Sequence, residues 1–346
     1  MPAKFWGVVS QHQPNAEEFA RLKRGGVDSI RVAVPWDGVE PVEGEPNWGG
    51  VDAYIGGAAA AGIEALPFLY GAPTWAVPAM TVDARHGVKA PAHLPVRTTA
   101  EKAAWATFLA QAVGRYGPTG TFWSENPSIP RHPVRTWQIW NEENFKYFVA
   151  RPNPAEYGKL VKNSYATIKS LDHGAKIVLG GMFAHPIEAL PKTKRPRVAY
   201  FAGEFLEQMY QKTPGVKQKF NGVALHPYTG EYQTLTPYIE ELRGVLKKNH
   251  DSGKGIWLTE LGWSSGHPEP GNSFAKGLQG QAKQLKGAFK LLMRNQAKWR
   301  IQKVYWFSVD DQVGACNFCD GSGLFGEGFI PKPSWKAYVH FAGGRP

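Results

Sequence analysis

The sequence predicts an α/β chain closed into a single (β/α)8 barrel. Three observations lead there. Short apolar runs alternate with amphipathic stretches almost throughout the 346 residues, which is the rhythm of a parallel sheet joined by crossover helices. Eight such runs occur, and at this length eight strands close naturally on themselves. The turn after the first run reads Ser10-Gln11-His12-Gln13-Pro14, without the glycines that an open doubly wound sheet places there to hold a phosphate. No linker or low-complexity block interrupts the chain, so residues 1–346 are expected to form one domain.

Strands are expected near residues 5–10, 29–34, 64–70, 134–140, 176–180, 222–226, 255–260 and 303–308. Helices are expected over 16–24, 51–61, 100–116, 154–171, 200–212, 236–250, 275–295 and 334–341, each with apolar residues at helical spacing. The longest irregular stretches are 71–98, 118–133, 186–197 and 310–333. All but 118–133 follow a strand, and in a barrel such loops build the active-site face.

Composition narrows the function classes. Apolar residues make up 42% of the chain, enough for a sizeable core, and no uninterrupted apolar run is long enough for a membrane span. The opening residues lead straight into Phe5-Trp6-Gly7-Val8-Val9, too short and too aromatic for a signal peptide. Lys and Arg number 40 against 29 Asp and Glu, giving a net charge of +11. An acidic partner such as an anionic polysaccharide or cell envelope fits that balance, and so does a basic soluble surface. The basic residues are scattered apart from Lys192-Thr193-Lys194-Arg195-Pro196-Arg197, so nucleic acid is not expected as a partner. The two cysteines, Cys316 and Cys319, lie within a loop rich in Gly and Asp. Without a second pair they do not make a zinc site. A local disulfide between Cys316 and Cys319 is expected, with two free thiols as the alternative; a disulfide points to an extracellular or cell-envelope setting.

Two segments end a strand pattern with a carboxylate among tryptophans: Trp137-Gln138-Ile139-Trp140-Asn141-Glu142-Glu143-Asn144 and Ile256-Trp257-Leu258-Thr259-Glu260-Leu261-Gly262-Trp263. Facing carboxyl groups are the minimum equipment for cleaving a glycosidic bond, one protonating the leaving oxygen and the other attacking the sugar carbon. Side chains two apart share a strand face. On that rule Arg31 faces inward, and so does His226 with Gly222 and Ala224, followed in phase by Tyr228. Glu260 shares a face with Leu258 and Ile256, Glu142 shares one with Trp140 and Gln138, and Glu143 points aside. Arg31, Glu142, His226, Glu260 and Trp306, from five strands, are thus expected at one mouth. Tryptophan is abundant, with 13 residues; Trp75 and Trp306 at the mouth are expected to touch ligand, whereas Trp105, Trp299 and Trp335 read as helix packing. The segment Phe145-Lys146-Tyr147-Phe148 is expected to form one wall of a substrate groove.

On these motifs the chain resembles the clan A glycoside hydrolases, retaining (β/α)8 enzymes that include family five and family thirty-nine. The matching residues are Trp140-Asn141-Glu142 at the fourth strand and Thr259-Glu260 with Gly262-Trp263 at the seventh. His226-Pro227-Tyr228, Arg31 and Trp306 also agree. The resemblance implies Glu142 as acid/base, Glu260 as nucleophile and Asn141 as partner of the sugar 2-hydroxyl. It implies that Tyr228 and Arg31 hold the nucleophile, and that Trp140, His226 and Trp306 belong to the substrate site. The family usually has proline after the acid/base, and this chain has Glu143. The expected activity is hydrolysis of a β-linked oligo- or polysaccharide by a monomer without cofactor. A transglycosylase and a non-catalytic glycan-binding barrel are the alternatives. A metal-dependent barrel should show clustered ligands; His12, His86, His93 and His185 are scattered singles.

Overall fold

The structure, a computed structural model, describes residues 4–189, 197–314 and 318–346. The strands in chain order are β1 (Trp6–Val9), β2 (Ser29–Pro35), β3 (Glu64–Tyr70), β4 (Ala79–Asp83), β5 (Val88–Pro91), β6 (Thr136–Ile139), β7 (Lys176–Phe183), β8 (Gly222–His226), β9 (Gly255–Leu261), β10 (Ile301–Phe307), β11 (Phe325–Gly326) and β12 (Ile330–Pro331). Eight of them close a parallel barrel in the order β1, β2, β3, β6, β7, β8, β9, β10, and β10 pairs back onto β1 through Trp6 with Val304 and Val9 with Phe307. The predicted barrel is therefore present. The stretch 71–98 is not irregular throughout: β4 and β5 form an antiparallel hairpin there.

The helices are α1 (Ala16–Arg24), α2 (Trp36–Val39), α3 (Gly49–Ala60), α4 (Thr99–Tyr116), α5 (Thr121–Glu125), α6 (Pro154–Leu171), α7 (Ala202–Lys212), α8 (Leu235–Lys248), α9 (Gly277–Trp299) and α10 (Pro333–Ala342). Several starts are written locally. Asn15 and Glu18 form a capping box on α1, and Thr98 and Glu101 do the same for α4. Asn153 caps α6, with Pro154 in its first turn.

Two apolar clusters fill the molecule. The larger lies where strands meet helices and holds Trp36, Trp105, Trp140, Trp263, Trp306, Trp299 and Trp335. The smaller plugs the barrel with Val9, Leu66, Tyr305 and Phe307, joined by Trp257 and Phe318. Within the barrel, Arg31, Gln138, Thr259 and Glu260 form a buried polar cluster toward the strands' C-terminal ends.

Candidate active site

A cavity of about 730 Å³ opens at that end. It is lined by Ser10 to Gln13 after β1, Arg31 and Pro35 of β2, Tyr70 of β3, Asn141 and Glu142 after β6, Phe183 of β7, Tyr228 after β8, Glu260 of β9 and Phe307 of β10. Phe148, Phe274 and Phe318 complete an aromatic wall.

Arg31 organises the floor. Its side chain is fully buried, with its guanidinium carbon 3.7 Å above the centre of the Phe68 ring. It donates from Nη1 to Glu260 Oε1 at 2.6 Å, from Nη2 to Asn141 Oδ1 at 2.6 Å and from Nε to Gln138 Oε1 at 2.7 Å. The planar fork reaches three acceptors at fixed angles, which a lysine cannot do. The Tyr228 hydroxyl donates to the other Glu260 oxygen, Oε2, at 2.6 Å. Burial pushes the Glu260 carboxyl up, and the Arg31 charge and the Tyr228 and Arg31 hydrogen bonds pull it back down. Burial and the neighbouring Glu260 raise Tyr228 well above its ordinary value, so it remains a donor.

Glu142 faces Glu260 across the cavity floor. One carboxyl oxygen of each and a His226 ring nitrogen lie within 4.8 Å of one another. His226 Nδ1 is 2.9 Å from Glu142 Oε1, and its Nε2 is 3.0 Å from Thr259 Oγ1. Burial, reinforced by Arg31, lowers the imidazole well below its usual range, so it is neutral at pH 7. Burial first, and then the charge of Glu260, raises Glu142 well above a normal carboxyl. One oxygen of Glu260 is taken by Arg31 and the other by Tyr228.

The backbone that presents Glu142 is unusual. Trp140 has φ +74° and Glu142 φ +41°, left-handed values that non-glycine residues rarely adopt. This corrects the expected phase. Trp140 does not share the face of Gln138; it turns outward into the helix layer, 5.8 Å from Trp105, and its Nε1 donates to Phe148 O. The second carboxylate carries a similar correction. Ile256 and Leu258 pack in the outer cluster, and Glu260 turns inward across a register shift between β9 and β10.

Of the expected site residues, Arg31, Asn141, Glu142, Tyr228 and Glu260 meet at the cavity. Asn141 Oδ1 is taken by Arg31, so its amide NH2 is the end it offers to a ligand. His226 lies behind Glu142, fully buried, and not on the cavity wall. Trp306 faces outward against Trp263 and Phe289, and the next residue, Phe307, lines the cavity instead. Trp75 leans on Trp36 and donates to Glu40 O, away from the cavity. The segment 145–148 does form wall: Phe148 lines the cavity, and Tyr147 lines a smaller one beside it. The expected Cys316–Cys319 bridge lies outside the described residues, because Cys316 is not among them.

Sequence reasoning missed His12, which lines the cavity and pairs through Nδ1 with Asp310 at 2.9 Å. It also missed the phenylalanine wall, since nothing local separates a cavity Phe from a core Phe. Glu143 points aside as expected, but into a closed space. It is fully buried, and neither oxygen has a hydrogen-bond partner among the described residues. The Tyr157 hydroxyl beside it is committed to Ile139 O and Gly180 N. Burial pushes the Glu143 carboxyl up to about 8.

With this geometry in hand, likeness to known proteins can be judged. The family described as glycosyl hydrolase catalytic core matches residues 132–328. The chain belongs to that family. The matched span holds both Glu142 and Glu260.

Among solved structures, a family 39 glycoside hydrolase from Bacteroides cellulosilyticus is 21% identical, aligned over 99% of this chain and 64% of its own, with a TM-score of 0.67. A β-xylosidase from Caulobacter crescentus is 15% identical over 98% of this chain and 68% of its own, with a TM-score of 0.64. An intracellular xylanase from Thermoanaerobacterium saccharolyticum is 17% identical over 96% of this chain and 94% of its own, with a TM-score of 0.61. At these identities the likeness shows the shared barrel fold. The chain spans 64% of the length of the first of these relatives. No curated protein matches the sequence.

Proposed function

We propose that this glycosyl hydrolase catalytic core cleaves β-linked glycosides with retention of configuration, through a covalent glycosyl-enzyme. The observation that carries this reading is the separation of the carboxyls: oxygens of Glu142 and Glu260 lie within 4.8 Å across one cavity. Retaining enzymes hold the pair ~5–5.5 Å apart, and inverting enzymes leave roughly 6.5–9.5 Å for a water.

Roles follow from the surroundings. Glu260, held by Arg31 and Tyr228, is the carboxylate aimed at the sugar carbon. Glu142 keeps the proton and delivers it to the leaving oxygen. Once Glu260 is esterified, its charge no longer opposes ionisation of Glu142, which can then take a proton from the attacking water. The Asn141 amide faces the sugar, and the phenylalanine wall offers apolar faces for the ring. The xylosidase and xylanase among the structural relatives make β-xylosides the first substrates to try, followed by β-glucosides. An extracellular or envelope location remains our expectation for the protein.

The test is trapping. A panel of 2-deoxy-2-fluoro β-glycosides with good leaving groups should label the protein with one sugar, and peptide mass spectrometry should place it on Glu260. Proton NMR of a hydrolysed aryl glycoside should show the β-anomer first. Label on another residue, or the α-anomer first, would overturn the reading.

A further inference from the structure

Helix α9 carries Lys283, Lys286, Lys290, Arg294 and Lys298 and no acidic residue. Its neighbour α10 has Lys336 and His340 and again no acid. The two pack side by side on the barrel's flank, and a cavity of about 500 Å³ lies between them. Lys286, Lys290, Lys336 and His340 line it, over a floor that includes Pro333 and Phe341. On each helix the two basic groups are four residues apart and so share a face.

All four are exposed, and none makes an ion pair or side-chain hydrogen bond among the described residues. Two other basic groups, at the ends of these helices, are paired. Lys298, at the far end of α9, is bonded to Glu240, and Lys332, just before α10, is bonded to Asp311. The two helices thus present a groove lined by basic and apolar side chains without an acid, outside the cavity that holds Glu142 and Glu260.

We propose that this groove is a second binding site, for an acidic polysaccharide bearing carboxylates along its chain. The lysines pair with successive carboxylates, and the sugar faces lie against Pro333 and Phe341. An ammonium pairs with a carboxylate or a phosphate alike; the apolar floor of Pro333 and Phe341 suits the faces of sugar rings, which favours the polysaccharide. Holding a polymer on the flank raises the local concentration of glycan at the mouth. That benefit rests on the glycosidase reading; the binding itself does not.

The experiment is affinity electrophoresis of the intact protein in gels containing polygalacturonate, with hydroxyethylcellulose as the neutral control. One variant carries Lys286→Glu, Lys290→Glu and Lys336→Glu. A matched variant carries Lys102→Glu, Lys159→Glu and Lys247→Glu on other helices, and thermal melting checks that both fold. Polygalacturonate should retard the wild type and the neutral polymer should not. Apparent affinity should fall by at least roughly tenfold in the groove variant and change little in the matched one. The proposal fails if the wild type is not retarded, or if both variants lose affinity equally. It also fails if an oligonucleotide of equal charge displaces polygalacturonate more readily than soluble oligogalacturonate does. Hydrolysis of a small aryl glycoside should be unchanged by the groove substitutions. A wild type that hydrolyses the aryl glycoside but is not retarded fails the groove proposal alone; one that is retarded but hydrolyses no glycoside fails the glycosidase reading alone.

Discussion

His226 stands directly behind Glu142. Its Nδ1 lies 2.9 Å from Glu142 Oε1 and 3.5 Å from Glu260 Oε2, yet the imidazole is neutral because it is buried beside Arg31. A neutral ring can accept a hydrogen bond from the protonated acid or donate one to its ionised form, without adding a charge that would pull the proton off. On the other side, Thr259 Oγ1 meets both His226 Nε2 and Gln138 Nε2, and Gln138 in turn accepts from Arg31. The supports of the proposed acid and nucleophile are thus one connected buried network.

Replacing His226 should therefore act on proton delivery. His226→Ala is expected to lower kcat/KM by roughly 10–100-fold, less than the roughly 100–10,000-fold that direct proton transfer contributes, because Glu142 itself is kept. The loss should be smaller with a dinitrophenyl leaving group, which needs no protonation. An equal loss with both leaving groups would mean that His226 serves only packing.

Gly181 gives access to the same side chain from the backbone. A Cβ there would lie 1.8 Å from His226 Nε2, so Gly181→Ala must displace the ring. The variant should lose ~1–3 kcal/mol of stability by overpacking. It should show the leaving-group dependence of the His226 variant despite leaving both carboxylates in place.

The adjacent acids should separate cleanly. Glu142→Ala should hydrolyse a dinitrophenyl glycoside far better than a natural glycan, and added azide should restore turnover with retained configuration. Glu260→Ala should fail with every substrate, since no glycosyl-enzyme can form. Glu143→Ala should show neither behaviour. If Glu143, and not Glu142, gave the azide rescue, the assignment at the end of β6 would be wrong.

Glu143 instead predicts a pH effect on stability. Burial raises its carboxyl from an ordinary 4.5 to about 8, so the folded state binds the proton more tightly than the unfolded state. Between those values folding must keep a proton that the unfolded chain releases. Its contribution therefore falls as pH rises from about 4.5 to about 8 and is level beyond. Glu143→Gln should remove this slope. Its Tm relative to wild type should improve between pH 5 and pH 7.5, by roughly 1–2 °C for each kcal/mol removed. Parallel Tm curves across that range would refute the assignment.

Arg31→Lys should be severe although the charge is kept. One ammonium cannot hold Glu260, Asn141 and Gln138 at once. We expect kcat to fall by at least about 100-fold, with a smaller change in KM. A near-normal kcat would show that charge alone suffices to hold Glu260.

The sequence by itself determined the eight barrel strands and the helices between them, because local periodicity marks each; the β4–β5 hairpin it did not mark. It also singled out Glu142 and Glu260, acids that end apolar strand patterns, and the structure brings both to one cavity. Asn15 with Glu18, and Thr98 with Glu101, mark helix starts by contacts within one turn. The orientation of residues at strand ends was decided elsewhere. Alternation assumes an extended backbone, and it fails where φ turns positive at Trp140 or where the register shifts near Glu260. So Trp140 and Trp306 went outward, and Phe307 took the place at the cavity. Strand phase says only that Glu143 points aside; Tyr157 and Gly180, from other parts of the chain, close around it. The α9–α10 groove likewise needs both helices side by side before its lysines share one space. Local patterns choose the elements; which side chains face each other depends on dihedral angles and neighbours that only tertiary packing supplies.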